Sequence, residues 1–199
     1  MQSTTRENIG LKFNGVDLEE TWSVADLETT DWPHRNTFNL TLLDDGKMAA
    51  IVPLNNHRIR VVANTDNALE AVPKDLNISE TNRQGTFKIA VRQVNTYQRG
   101  NVFLAGDAAH CHSPVGGRGM NLGIADAVCL AQCIASDNVT AYSGERHPAG
   151  SRTIGNSERA RKLLSSQKPL VRGALVSTLK LTAKSSIMQR QLIDQLLYA

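Results

Sequence analysis

The sequence predicts an α+β fold: a largely antiparallel sheet, then a strand-loop-helix segment, then C-terminal helices. Three observations predict it. Strand-like runs separated by tight-turn signals fill the first hundred residues. After Gly119 the apolar period changes to steps of three and four. From Ser157 onward, leucines recur at helical spacing. A sheet followed by helices is the α+β order.

The strands are justified one by one. Residues 18–27 (LEETWSVADL) and 37–43 (TFNLTLL) alternate partially between apolar and polar. Asp44-Asp45-Gly46 is a turn signal between 37–43 and 47–54, and predicts a hairpin. Asn55-Asn56 is a second turn signal, before 57–63 (HRIRVVA). Three successive strands joined by tight turns predict an antiparallel meander. Residues 64–85 are polar and are expected to be loops with one short helical turn. A strand returns at 87–94 (FKIAVRQV), and 102–105 is a short apolar strand ending at Gly106.

The helices follow. Leu122, Ala125, Cys129 and Cys133 recur at helical steps and place 120–135 in a helix. Residues 143–148 are expected to interrupt it. Beyond Ser157, Leu163, Leu164, Leu170, Leu175, Leu179, Ile187, Leu192 and Leu196 mark further helical turns, which Pro169 and Gly173 are expected to divide. Three regions result: a sheet-rich 1–95, a strand-loop-helix 96–140 and a helical 141–199.

Bulk properties bound the function. A chain of 199 residues can form one sizeable domain, or a small domain with an appendage. With 41% apolar and 21% charged residues, it reads as globular rather than disordered. No run of about 18 apolar residues marks a membrane span. The first ten residues, MQSTTRENIG, lack the apolar stretch of a secretory signal. The odd set Cys111, Cys129 and Cys133 fits a reduced, cytoplasmic setting. Residues 151–199 carry nine Lys/Arg against two Asp/Glu, a balance of +7 within a chain of net charge +3. Aromatic interleaving is absent there, so nucleic acid is not the expected partner. A solvated helix face is the plain reading; docking of this basic segment on a partner or membrane is the alternative.

Residues 106–123 carry the chemistry. A hydrophobic strand delivers Gly106 and Asp107, and a helix begins near Gly119. Between them lie Pro114, Gly116 and Gly117. Glycines permit positive φ and close approach of a ligand to bare backbone. A helix N-terminus behind such a loop offers unpaired N–H groups and partial positive charge. Asp107 can accept hydrogen bonds from sugar or sugar-alcohol hydroxyls. On spacing alone, a Gly-rich strand-to-helix turn with Asp107 as a turn residue explains the pattern equally well. The loop has neither G-x-G-x-x-G nor the P-loop pattern.

The motifs themselves carry a resemblance. G-D-A-A-H at 106–110, followed by P-x-G-G-x-G-M-N-x-G-x-x-D-A at 114–127, resembles the second FAD motif of the FAD-dependent aromatic-ring hydroxylases, the para-hydroxybenzoate hydroxylase-like flavoprotein monooxygenases. The segment Y-x-x-E-R-x-P at 142–148 resembles that family too, as do, more weakly, 18–27, 46–62 and 87–100. The resemblance implies FAD as cofactor, with Gly106 and Asp107 at the ribityl and pyrophosphate region. It implies Pro114 beside the isoalloxazine ring, and backbone of Gly119, Met120 and Asn121 at the N1–C2=O edge. Gly116 and Gly117 would let the loop pass close to the ring, and Arg118 would add positive charge nearby. It implies hydroxylation of an aromatic or related small molecule with NAD(P)H and O2 in the complete enzyme. No side chain is expected to act as a catalytic acid, base or nucleophile, because the flavin carries the chemistry.

The family's other half-site does not appear in this sequence. No βαβ unit bearing G-x-G-x-x-G is present to hold the pyrophosphate. An N-terminal nucleotide-binding domain or a partner chain is therefore an expected companion, and the isolated chain is expected to bind FAD weakly or not at all. A split-enzyme half or a non-catalytic binding module is the alternative. Other chemistries fit less well. His110-Cys111-His112 is too tightly alternated to make a tetrahedral metal set, so no metal is expected, and His110 is expected to pack or hydrogen-bond. Ser113, His112 and Asp107 lack the G-x-S-x-G elbow of a hydrolase. Trp22 and Trp32 are expected to pack in a core or interface, or to face a substrate.

Overall fold

The computed structural model describes residues 2–183, and Ile187, Leu192 and Leu196 of the predicted helical pattern lie outside them. The elements run α1 (Thr4–Asn8), β1 (Phe13–Glu28), β2 (Asn39–Leu42), β3 (Met48–Pro53), β4 (Arg58–Ala63), β5 (Glu80–Val94), β6 (Gln98–Arg99), β7 (Val102–Phe103), β8 (His110–Cys111), α2 (Gly119–Ala135), α3 (Ala141–Leu164) and α4 (Pro169–Ala183). The main sheet has the order β2-β3-β4-β1-β5-β8, and β6-β7 form a separate two-stranded ribbon. The predicted sheet-then-helices order holds.

The chain divides into two compact units. One comprises Leu18–Ile89 and Lys162–Lys180; the other is built chiefly on Met1–Asp17 and Ala90–Arg161. The long strands β1 and β5 contribute to both.

In the first unit the predicted meander is present. β2 pairs with β3 and β3 with β4, both antiparallel. Alternation explains β4: Ile59, Val61 and Ala63 are buried while Arg58, Arg60 and Val62 are not. Those side chains meet Leu27, Trp32, Ile51 and Ala68 in one core. Trp22 and Trp32 are both buried, so packing is the role this structure gives them. The Asp44–Gly46 turn takes positive φ at Asp45 and Gly46, 54° and 72°. Gly46 is also required by space, because a Cβ there would come 2.3 Å from the Ser165 carbonyl oxygen.

In the second unit the core is Val94, Tyr97, Leu104, Ala109, Cys133 and Tyr142. Side-chain bonds tie its strands to α3. The Tyr142 hydroxyl donates to the Leu104 carbonyl at 2.8 Å, and the Tyr97 amide donates to Ser143 Oγ at 2.9 Å. The three cysteines are free thiols, with Cys133 buried and Cys111 and Cys129 half-buried.

Four expectations need correction. β1 starts at Phe13 rather than near residue 18, because its first residues are largely exposed and write no apolar alternation. β5 starts at Glu80, within the stretch expected to be loop; all its residues from Glu80 to Lys88 are exposed, so its first half shows no buried face. The predicted interruption at 143–148 is absent: α3 runs through Pro148. The carbonyl that Pro148 leaves unpaired belongs to Gly144, which is exposed and open to water. Pro169 does begin a helix, where its missing N–H costs nothing. Gly173, however, sits inside α4 without breaking it, at the ordinary propensity cost of about 1 kcal/mol.

Candidate functional site

The chain approaches the site from β7 and enters it at Gly106. Gly106 has φ 56°, a left-handed conformation that spares only glycine a penalty. It opens a 3-10 turn, Gly106–Ala108, closed by the Ala109 amide on the Gly106 carbonyl at 2.8 Å. Asp107 follows and is exposed. Behind the turn, the buried Arg6 of α1 donates to the Ala108 carbonyl at 3.1 Å and lies 4.1 Å over the Phe13 ring. Gly106 also faces Gly123 of α2 at close range: a Cβ on Gly123 would sit 3.2 Å from the Gly106 Cα.

Below the turn lies a buried carboxylate. Asp126, on α2, is 0% exposed. Its Oδ2 accepts from the Gly106 amide at 3.1 Å and from His110 Nε2 at 2.6 Å. Its Oδ1 accepts from Arg146 Nε of α3 at 2.8 Å. Burial alone would raise the Asp126 pKa, but these donors outweigh it and hold the carboxyl below its ordinary value. His110 therefore hydrogen-bonds within the core, as its place in the motif led one to expect.

The loop from His112 to Arg118 is held from α3. His112 Nδ1 donates to the Ser113 carbonyl at 2.8 Å, which leaves Nε2 as the unprotonated ring nitrogen. That Nε2 is buried and meets no hydrogen-bond partner among the described residues. Burial lowers the His112 pKa, only partly opposed by the bond to Ser113, so the ring stays neutral. The buried Ser157 hydroxyl lies 3.0 Å from the Ser113 carbonyl and 2.9 Å from that of Val115. The Val115 amide donates to Ser113 Oγ at 3.1 Å, and Gly117 N–H to the Pro114 carbonyl at 2.9 Å. These bonds shape the loop without any ligand.

Beyond that point the backbone opens. Gly116 and Gly117 have φ of 93° and 64°, and nothing lies within 4 Å of where their Cβ atoms would be. Pro114, Gly116 and Gly117 are exposed, and Arg118 is half-buried. Arg118 leads straight into Gly119, Met120 and Asn121, the first turn of α2, and as N-cap residue it makes no side-chain capping bond there. The first N–H groups of a helix have no acceptor within it and carry partial positive charge. A bare, open glycine pair in front of an uncapped helix start fits the edge of a planar, electron-rich ring. The residues present thus fit the flavin end of FAD.

The sequence reading named the loop but not what holds it. Asp126, Arg146 and Ser157 were missed as site residues, although Asp126 is the carboxylate of the G-x-x-D-A run and Arg146 lies in Y-x-x-E-R-x-P. The available signal was a lone carboxylate amid the apolar GIADAVCLA stretch of α2. Among the described residues, no group of three or more His, Cys, Asp or Glu side chains is placed to hold a metal ion. No helix among them is long and apolar enough to cross a membrane.

Known proteins are similar to this chain. A family described as FAD binding domain matches residues 63–157. An uncharacterized aromatic compound monooxygenase of Bacillus subtilis is 33% identical over 189 residues, covering 81% of this chain and 37% of its own length. Pentachlorophenol 4-monooxygenase of Sphingobium chlorophenolicum is 28% identical, covering 82% of this chain and 35% of its own. Among solved structures, p-nitrophenol 4-monooxygenase from Pseudomonas putida has the same fold, with a TM-score of 0.79 at 21% identity over 98% of this chain and 57% of its own. The chain thus spans little more than a third of the curated relatives it matches. Residues 63–157 thus match the FAD binding domain family, and most of the chain is similar to part of the FAD-dependent aromatic monooxygenases.

Proposed function

We propose that this chain is the part of an FAD-dependent monooxygenase that holds the isoalloxazine ring and ribityl chain. In the complete enzyme, one atom of O2 enters an aromatic or related small molecule as a hydroxyl. The other leaves as water, with NAD(P)H and a proton supplying the two electrons and the hydrogens. The observation that carries this reading is the open Gly116–Gly117 backbone leading into the uncapped first turn of α2, inside the family's motif.

The bound cofactor supplies the redox chemistry. The chain's own residues bind and orient it. Asp107, exposed at the turn, would accept hydrogen bonds from the polyol hydroxyls. Pro114 would lie beside the ring. The N–H groups at Gly119, Met120 and Asn121, aided by the Arg118 charge, would favour negative charge at the ring's N1–C2=O edge. Gly116 and Gly117 would let the backbone approach.

The adenosine half of FAD would be held by a nucleotide-binding part, on the same polypeptide or another. A second observation supports this over a self-contained binding module. α2 turns Met120, Ile124, Val128 and Ile134 outward, each more than half exposed. Exposed apolar patches of this kind mark surfaces that another element covers.

The test is titration of the purified chain with FAD, followed by flavin fluorescence, with and without an added nucleotide-binding part from a relative. Weak binding alone and tight binding in the pair is the expected result. No binding in either condition would overturn the proposal, and stoichiometric flavin in the chain as purified would overturn the need for a second part.

A further inference from the structure

Asp126 does work that its place in a helix does not explain. A fully buried carboxylate is costly unless donors surround it. Three donors reach this one, from three separate elements: the Gly106 amide in the turn, His110 Nε2 in β8 and Arg146 Nε in α3. Since an ionised carboxylate only accepts, His110 carries its proton on Nε2. Two of the three partners, Gly106 and His110, bracket the exposed Asp107. The carboxylate thus grips the chain on both sides of Asp107, while Arg146 balances its charge.

We propose that Asp126 is the positioning residue for Asp107. By fixing the Gly106 amide and the His110 ring on one oxygen, it sets the left-handed turn and therefore the direction of the Asp107 carboxylate. It touches no ligand itself, being closed to solvent. This rests on the reading of Asp107 as the residue that meets the cofactor's polyol chain.

The test is Asp126→Asn in the full chain, with two readouts. Asparagine keeps the shape but leaves a single acceptor oxygen and turns an N–H2 toward one of the three donors. Amide hydrogen exchange in the flavin-free chain reports on the turn directly. Exchange at Gly106 and Ala109, the bonded amides of the turn, is expected to quicken by about tenfold or more, the size of one charge-assisted hydrogen bond, while amides of the β6-β7 ribbon keep their rates. FAD affinity, by fluorescence titration, is expected to fall by about the same factor, and this loss is expected to vanish in an Asp107→Ala background, because residues acting as one unit are not additive. A purely structural role gives the same loss in both backgrounds. If Asp126→Asn does not fold, His110→Asn, which removes one grip, is expected to show the same local quickening. Unchanged exchange at Gly106 and Ala109, or additive losses in FAD affinity, would overturn the proposal. Should the wild-type chain bind no FAD, the cofactor reading fails on its own, and exchange still decides whether Asp126 holds the turn.

Discussion

Gly106 and Gly123 lie so close that a methyl group on Gly123 would meet the Gly106 Cα at 3.2 Å. The two ends of the candidate loop touch here, the turn on one side and the second turn of α2 on the other.

Gly123→Ala therefore sets two effects against each other. Alanine favours the helix by about 1 kcal/mol over glycine. The backbone contact instead pushes the turn and helix apart. Thermal melting is expected to show a net change within about 1 kcal/mol. The displaced turn is expected to weaken FAD binding in the paired titration. Unaltered affinity would mean that the spacing of turn and helix is irrelevant to the site.

Gly150→Ala has no such balance. A Cβ there would come 2.2 Å from the Tyr97 hydroxyl and 2.7 Å from Gln93 Nε2. Tyr97 is wholly buried and cannot swing away. Overpacking of this kind costs about 1–3 kcal/mol. Urea unfolding of the variant is expected to show that loss, and a midpoint equal to wild type would contradict the packing described.

His112 gives a pH dependence. Its folded pKa is lowered from 6.5, chiefly by burial. The neutral ring is favoured in the folded state, so stability is full above the unfolded pKa and declines as pH falls through 6.5 toward the folded value. Melting temperatures between pH 8 and pH 5 are expected to fall in wild type and to fall less in His112→Asn, which keeps a donor for the Ser113 carbonyl. Identical pH profiles for both proteins would remove His112 as the cause.

Asp26 and Arg60 stand directly opposite each other on β1 and β4 and form a two-pronged pair at 2.7 and 2.8 Å. The Arg60 hydrogen bonds, more than offsetting burial, lower the Asp26 pKa. The arginine side chain is 39% exposed, so screening limits the value of the pair. A double-mutant cycle with Asp26→Asn and Arg60→Gln is expected to give a coupling of about 0.2–1 kcal/mol. That stabilisation is present above pH 3.8 and is lost as pH falls through the lower folded pKa. A coupling of zero at pH 7 would show the pair to be an unimportant surface contact.

Much of this protein was legible in the sequence because particular residues have only one local use. Asp44-Asp45-Gly46 reads as a turn because it supplies residues that tolerate positive φ. Ile59, Val61 and Ala63 read as a strand because alternation has no other cause than one buried face. The glycines before Met120 read as a loop ahead of a helix for the same reason. Pro148 and residues 80–85 were misread because no local rule marks them. A proline stays inside α3 when the carbonyl it orphans is exposed, and an exposed strand half has no apolar face to display.

The sequence by itself determined the order of elements, the resemblance to the flavoprotein hydroxylases and the residues of the loop, since each depends on neighbours in the chain. Only the tertiary structure decided what holds that loop in shape. Asp126 meets Gly106 across 20 positions, Arg146 meets Asp126 across another 20, and Ser157 reaches Ser113 across 44. Hydrogen bonds over such separations leave no periodic trace, because their partners are chosen by where the helices pack and not by spacing along the chain.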